Sequence, residues 1–281
     1  MYQTIKTEIS ERIMTITINR PERMNVYNTQ MKDELISALD AADRDDEVKV
    51  IIVTGEGRAF CAGKDLEQSS THEIEDIPME DFRDTGGLLS LRIYEMKKPM
   101  IAAINGAAVG IGITMTLPMD IRIASTNAKM GFVFTRRGIS PEACSGWFLP
   151  RIVGLSKAME WMLSGRLLSA TEALEGGLVS RVVPPEELLP TARTLALEIA
   201  NHTSSVSVAL VRQLLLTMLG ADHPMESHKL ESKMVYWTRK QADAQEGILS
   251  FFEKRNPNFS MKVSSDMPPF YPFAKERKFK E

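Results

Sequence analysis

Two glycine-bearing loops are the segments of this chain best suited to chemistry. Ala59-Phe60-Cys61-Ala62-Gly63-Lys64-Asp65-Leu66 follows an apolar run. The absent Cβ of Gly63 permits a tight turn and lets a ligand approach the backbone. Asn105-Gly106-Ala107-Ala108-Val109-Gly110-Ile111-Gly112 follows a second apolar run and opens a helix. N–H groups at a helix start lack intrahelical acceptors and favour negative charge. One N–H from each loop can converge on an oxygen that gains charge, as an oxyanion hole requires. Taken singly, the first loop also reads as a strand-to-loop turn and the second as close strand–helix packing. A nucleotide loop fits the second poorly, because neither a following Gly-Lys-Ser/Thr nor a GxGxxG unit is present. In Ser140-Pro141-Glu142-Ala143-Cys144-Ser145 the local pattern makes Ser140 an N-cap, Pro141 the first helical residue and Glu142 a first-turn acid.

Other reactive residue types carry less. Cys61 and Cys144 form no CxxC, and no Cys/His cluster has metal-ligand spacing. Cys61 has no evident base and reads as small and buried. His72 reads as a solvated loop residue, and His202, His223 and His228 as structural. Arg136 and Arg137 read as surface-paired, and Trp147, Trp161 and Trp237 as core or subunit contacts. The net charge of −3 over 281 residues gives no broad basic field, so no nucleic-acid partner is expected. No apolar run reaches about 18 residues, so no membrane span is expected. The chain opens on a strand-like alternation rather than a signal core, and Lys278-Phe279-Lys280-Glu281 carries no peroxisomal address. With its two unclustered cysteines this sets a cytoplasmic expectation.

The elements that must position these loops follow from periodicity. Met14, Ile16 and Ile18 alternate with polar residues as a half-buried strand does. Met31, Leu35, Ile36 and Leu39 share a helix face, closed by the charged run Asp43 to Glu47. Val48 to Val53 and Met100 to Ile104 read as strands buried on both faces. A polar, acid-rich loop is expected from about Glu67 to Gly87, long enough to be a functional lid. A short helix ending near Leu117, a strand about Ile121–Ile123 and a last strand from Leu178 to Val183 follow. Beyond them the pattern is helical only, with faces at Leu188–Ile199, Leu210–Met218 and Leu230–Trp237. This predicts a layered α/β core over 1–200 and a helical subdomain and tail over 201–281. The tail from Pro268, with its aromatic and basic residues, is expected to pack on a surface.

The two loops and their flanks resemble the crotonase (enoyl-CoA hydratase/isomerase) superfamily. The resemblance includes Asn19-Arg20-Pro21-Glu22-Arg23-Met24-Asn25, Asp120-Ile121-Arg122-Ile123-Ala124, Leu149-Pro150-Arg151-Ile152-Val153-Gly154 and Gly176-Gly177-Leu178-Val179. It runs on through Glu246 to Arg255. It implies an α/β spiral of ββα units with a helical C-terminal part that trimerises, trimers pairing in some members. It implies an acyl-CoA thioester substrate and no separate cofactor, since coenzyme A is part of the substrate. By the same resemblance the N–H groups of Lys64 and Ile111 would form the oxyanion hole. Arg23, Met24, Ala62, Asp65 and Leu66 would line the coenzyme A site, the Ala62 carbonyl meeting the adenine. Phe251 and Lys254 would reach the coenzyme A of a neighbouring subunit.

The sequence departs from the hydratase pattern at two places. Hydratases of the family hold a water between two glutamates, whose positions here are Thr114 and Phe134. Neither can act as a general acid or base. The segment around Glu142 is instead similar to single-glutamate Δ3,Δ2-enoyl-CoA isomerases, which makes Glu142 the expected acid–base residue. Two alternatives stay open. One is another crotonase reaction, such as hydration or hydrolysis, assisted by a lid acid among Glu73, Glu75, Asp81 and Asp84. The other is a non-catalytic acyl-CoA binder.

Overall fold

The computed structural model describes residues 2–67, 77–273 and 277–280. Among the described residues ten strands form two sheets. The first contains β1 (Ile5–Ser10), β2 (Ile13–Ile18), β3 (Val50–Gly55), β5 (Met100–Ile104), β7 (Ile121–Ser125) and β10 (Arg181–Val183), in the order β1-β2-β3-β5-β7-β10. Only β1–β2 is antiparallel. The second contains β4 (Ala59–Cys61), β6 (Ala107–Val109), β8 (Lys129–Gly131) and β9 (Leu167–Ser169), in that order, with β8–β9 antiparallel.

Successive turns of the chain place one strand in each sheet. β3 and β4 lead to α2 (Thr85–Glu95), and β5 and β6 lead to α3 (Ile111–Thr114). This is the α/β spiral of ββα units that the resemblance implied. The period of two explains why the large-sheet strands look uniformly apolar. In β3, Ile51 and Val53 face the main core, while Val50 and Ile52 face a second cluster. The main core lies between the sheets and against α1 (Thr29–Arg44). The second lies against Leu188, Ala192, Ala196 and Ala200 of α7 (Leu188–His202). The small side chains of α7 let it sit close over the sheet.

After β8 come α4 (Ser145–Val153), α5 (Leu155–Ser164) and α6 (Ala170–Glu175). After α7 come α8 (Ser205–Met218), α9 (Pro224–Thr238) and α10 (Ala242–Glu253). A third cluster joins α8, α9 and the tail, including Phe270, Tyr271 and Phe273. The expected division at residues 200 and 201 falls in the last turn of α7.

Three local expectations change. The polar loop does not reach Gly87: Asp84 caps a helix whose first turn contains Gly86 and Gly87. Two glycines are poor helix formers; at Gly86 a side chain would displace Glu142 Oε2 and Ile111 Cδ1. The last strand begins at Arg181, because the N–H groups of Leu178 and Val179 both return to the Ala173 carbonyl and close a turn. The helix after the second glycine loop ends at Thr114, and turns continue through Met119. Half-buried Arg122 fixes those turns by donating to the carbonyls of Thr116, Met119 and Leu178 at 3.2, 2.6 and 2.8 Å.

Candidate active site

The first glycine loop is held by the segment carrying Arg20 to Tyr27. The Tyr27 N–H donates to the Gly63 carbonyl, and the Asp65 N–H donates to the Tyr27 carbonyl, both at 2.8 Å. This parallel bridge pairs Tyr27 with Lys64, so the Lys64 N–H points to the opposite edge. That edge faces the second loop: a Cβ on Gly63, whose φ is +123°, would lie 3.4 Å from the Val109 carbonyl oxygen. The Ala62 N–H donates to the Met24 carbonyl at 3.1 Å. Asp65 is 2% exposed and holds Arg20 and Arg23, each at 3.1 Å. Its carboxylate therefore fastens the loop from behind, while the Lys64 and Leu66 side chains are exposed.

The second loop packs against the first through missing side chains. A Cβ on Gly112 would lie 1.9 Å from the Cys61 carbonyl oxygen, and one on Gly106 would lie 2.0 Å from the Arg58 carbonyl oxygen. Gly110, with φ +55°, turns the chain into α3 and places the Ile111 N–H at the helix start, where no intrahelical acceptor exists. Lys64 and Ile111, the two residues named from the sequence, thus lie on adjacent loops packed against each other. Cys61 is wholly buried between them, and burial pushes its thiol up to about 12, as a small buried residue requires.

Glu142 comes to the same place but not as a first-turn acid. Ser140 does not cap the helix: α4 starts at Ser145, because Ala143 and Cys144 take left-handed φ values of 56° and 55°. Consecutive non-glycine residues in that region cost about 1–2 kcal/mol each. The Ser145 N–H and hydroxyl both donate to the Glu142 carbonyl, at 3.0 and 2.6 Å. Asp84 accepts the Ala143 N–H at 2.7 Å. The Thr114 hydroxyl donates to Glu142 Oε1 at 2.6 Å. The other oxygen, Oε2, lies where a Gly86 side chain would be, 2.1 Å from a Cβ built there. The Ile111 Cδ1 would lie 2.7 Å from that same Cβ. Glu142, Gly86 and Ile111 are therefore neighbours.

The Glu142 carboxyl is pushed up from the ordinary 4.5 to about 7. Burial is the largest cause, and the Asp84 charge adds to it. The Thr114 hydroxyl and the Lys64 charge act in the opposite direction. Perturbed carboxyls of this kind cluster at functional sites.

Of the other acids expected to assist, Glu73 and Glu75 lie outside the described residues, as does His72. Asp81 pairs with Lys280. Asp84 receives three backbone N–H groups, from Gly86, Gly87 and Ala143. Phe134 is buried, near Gly110. Sequence reasoning gave no part to Gly86 or Thr114 beside Glu142. Phe251 and Lys254 end α10, remote in sequence from this cluster, with Phe251 78% exposed. Arg136 donates to the Ser164 carbonyl at 2.8 Å, His223 caps α9 and Trp161 is wholly buried against Phe132. Among the described residues no helix is long and apolar enough to cross a membrane, and no cluster of three His, Cys, Asp or Glu could hold a metal ion.

A family model described as enoyl-CoA hydratase/isomerase matches residues 8–262. An enoyl-CoA hydratase of Alternaria alternata is 43% identical over 253 residues, covering 89% of this chain and 83% of its own. The 1,2-epoxyphenylacetyl-CoA isomerase of Escherichia coli is 35% identical over 271 residues, covering 93% of this chain and 100% of its own. Among solved structures, a probable enoyl-CoA hydratase/isomerase from Mycobacterium abscessus superposes with a TM-score of 0.86 at 30% identity. It covers 92% of this chain and 99% of that one.

Proposed function

The chain belongs to the enoyl-CoA hydratase/isomerase family, and we propose that within it the protein shifts the double bond of an enoyl-CoA, with Glu142 as its acid–base residue. The thioester oxygen accepts hydrogen bonds from the N–H groups of Lys64 and Ile111. Loss of a proton from C2 or C4 spreads charge onto that oxygen, and the two donors stabilise the dienolate. One such donor is worth on the order of 3 kcal/mol. Glu142 takes the proton at one carbon and returns it to the other. Thr114 holds Oε1, which leaves Oε2, beside Gly86 and Ile111, to face the acyl chain.

The observation that carries this reading is the half-buried Glu142 carboxyl poised at about 7, where a proton shuttle works best near neutral pH. Thr114 and Phe134, at the two hydratase glutamate positions, add to it. Asp84 lies near enough to raise Glu142. That proximity is what favours the second reading, hydration with Asp84 as the partner acid. Three backbone donors already occupy the Asp84 oxygens, which weighs against it.

In this reading coenzyme A arrives with the substrate and no further cofactor is used. Arg23, Met24, Ala62, Asp65 and Leu66 form its site, Asp65 by anchoring the loop. Phe251 and Lys254 complete the site of a neighbouring subunit in a homotrimer or a dimer of trimers. The exposed Ile248, Leu249, Phe251 and Phe252 on α10 support such an assembly. The two unpaired cysteines suit a reducing, cytoplasmic setting.

The test is turnover of 3-enoyl-CoA and 2-enoyl-CoA by the wild type and by Glu142→Gln. Interconversion of the double-bond positions, reduced about 100-fold or more in the variant, supports the proposal. Formation of 3-hydroxyacyl-CoA supports hydration instead. Binding of coenzyme A thioesters without turnover returns the chain to a binder.

A further inference from the structure

Asp84 has no part in the proton transfer, yet it touches both elements that frame Glu142. Its Oδ1 accepts the Gly86 N–H at 3.0 Å, and its Oδ2 accepts the Gly87 N–H at 2.7 Å. These two bonds cap α2 and would suffice for that task. A third bond does not belong to the cap: Oδ2 also accepts the N–H of Ala143, the residue after Glu142, at 2.7 Å.

Ala143 is the residue after Glu142, and it is one of two successive non-glycine residues with left-handed φ. Such a conformation persists only where surrounding structure imposes it. On one side the Ser145 N–H and hydroxyl hold the Glu142 carbonyl. On the other side Asp84 holds the Ala143 N–H. The same carboxylate fixes Gly86, the residue whose missing Cβ makes room for Glu142 Oε2. One side chain thus sets both the turn that aims the base and the wall against which the base rests.

We propose that Asp84 is the positioning residue for Glu142, clamping the left-handed turn at Ala143 to the first turn of α2. The inference rests on Glu142 being the base. Asp84 acts on the Glu142 proton as well as on its place. The titratable groups facing Glu142 are Asp84, Lys64, Tyr27, Cys61 and Cys144. Burial raises Tyr27, Cys61 and Cys144 above their ordinary values. The charges that act on Glu142 near neutral pH are therefore the negative one of Asp84 and the positive one of Lys64.

Two substitutions separate a clamp from a mere helix cap. Asp84→Ser keeps a good N-cap but has neither the reach to Ala143 nor the charge. Asp84→Asn keeps the size and an acceptor and loses the charge. We expect Asp84→Ser to lower kcat on the order of 100-fold, the cost of a misplaced base, with KM for the acyl-CoA little changed. Asp84→Asn recovers most of kcat, and its acid limb of kcat/KM moves down by about one pH unit, because a like charge has gone. Wild-type kcat in Asp84→Ser would reduce Asp84 to a helix cap and overturn the inference, whatever the limb of Asp84→Asn does. Should Asp84→Ser fail to fold, Asp84→Thr, which also caps without the reach to Ala143, is read in its place. The ¹³C carboxyl titration of Glu142 reads the same effect without turnover. Full activity in Glu142→Gln removes the base reading and its kinetic arm. The clamp then stands if the Ala143 amide exchanges with solvent faster in Asp84→Ser than in the wild type, and fails if it does not.

Discussion

At the scale of the residue, Glu142 is held in a place that costs stability. Its proton leaves at about 7 in the folded chain, against an ordinary 4.5. Between those values the unfolded chain has released the proton and the folded chain has kept it. The unfolded state then binds fewer protons, so stability falls as pH rises through this window and is lowest above about 7. The difference is on the order of 3 kcal/mol. Glu142→Gln removes the buried charge, so its melting temperature relative to wild type should be higher at about pH 8 than at about pH 5. Thermal melts of both proteins at the two pH values check this, and a constant difference would contradict the assigned burial. If Glu142 is the base, the wild-type kcat/KM should rise with pH through about 7, because only the ionised carboxylate accepts a proton. That limb should vanish with the carboxyl.

At the scale of the element, two glycines transmit the positions of helices to the site. Gly86 lies in the first turn of α2, where alanine is ordinarily the better helix former by about 1 kcal/mol. A Cβ there would meet Glu142 Oε2 at 2.1 Å and Ile111 Cδ1 at 2.7 Å, both ends of flexible side chains, and the Ala143 Cβ at 3.1 Å, a contact that a shift of a few tenths of an ångström relieves. Gly86→Ala should therefore leave the melting temperature near that of wild type while kcat falls on the order of 100-fold from the displaced base. Steady-state kinetics beside a thermal melt checks it. Gly112→Ala is the opposite case. Its Cβ would lie 1.9 Å from the backbone oxygen of Cys61, which cannot move without parting the two loops. Overpacking of this kind costs about 1–3 kcal/mol, so a lowered urea midpoint and a loss of activity should appear together.

At the scale of the whole molecule, the C-terminal helices leave apolar surface uncovered. On α10, Ile248 is 61% exposed, Phe251 78% and Phe252 75%. Isolated exposed apolar residues are ordinary, but a contiguous set marks a contact. If α10 completes a neighbouring subunit's site, Phe251→Asp should both lower the sedimenting mass and weaken coenzyme A binding. Sedimentation velocity and calorimetric titration with coenzyme A test the two effects separately. A variant that stays assembled and binds normally would remove Phe251 from the interface.

The parallel core was legible because its strands are buried on both faces: Val50 to Val53 and Met100 to Ile104 need no partner to be recognised as apolar runs. The long helices of the C-terminal part were legible from their faces. The three-residue strands β4, β6, β8 and β9 were not, since a segment that short has no period to read. The two glycine loops were visible as motifs, and the positions of Lys64, Ile111 and Glu142 followed from the resemblance. The packing of their segments depends on contacts distant in sequence. Tyr27 turns the Lys64 N–H away from its own strand partner. Gly112 brings the second loop onto Cys61. The surroundings of Glu142 were beyond local reading, because Ser140-Pro141-Glu142 signals a helix start and the chain does otherwise. Asp84, Gly86 and Thr114 decide that outcome from two other elements. Sequence by itself determined which groups are present and which runs must be buried. Only tertiary structure decided the proton affinity and aim of Glu142, because both depend on burial and on charges brought near by the fold.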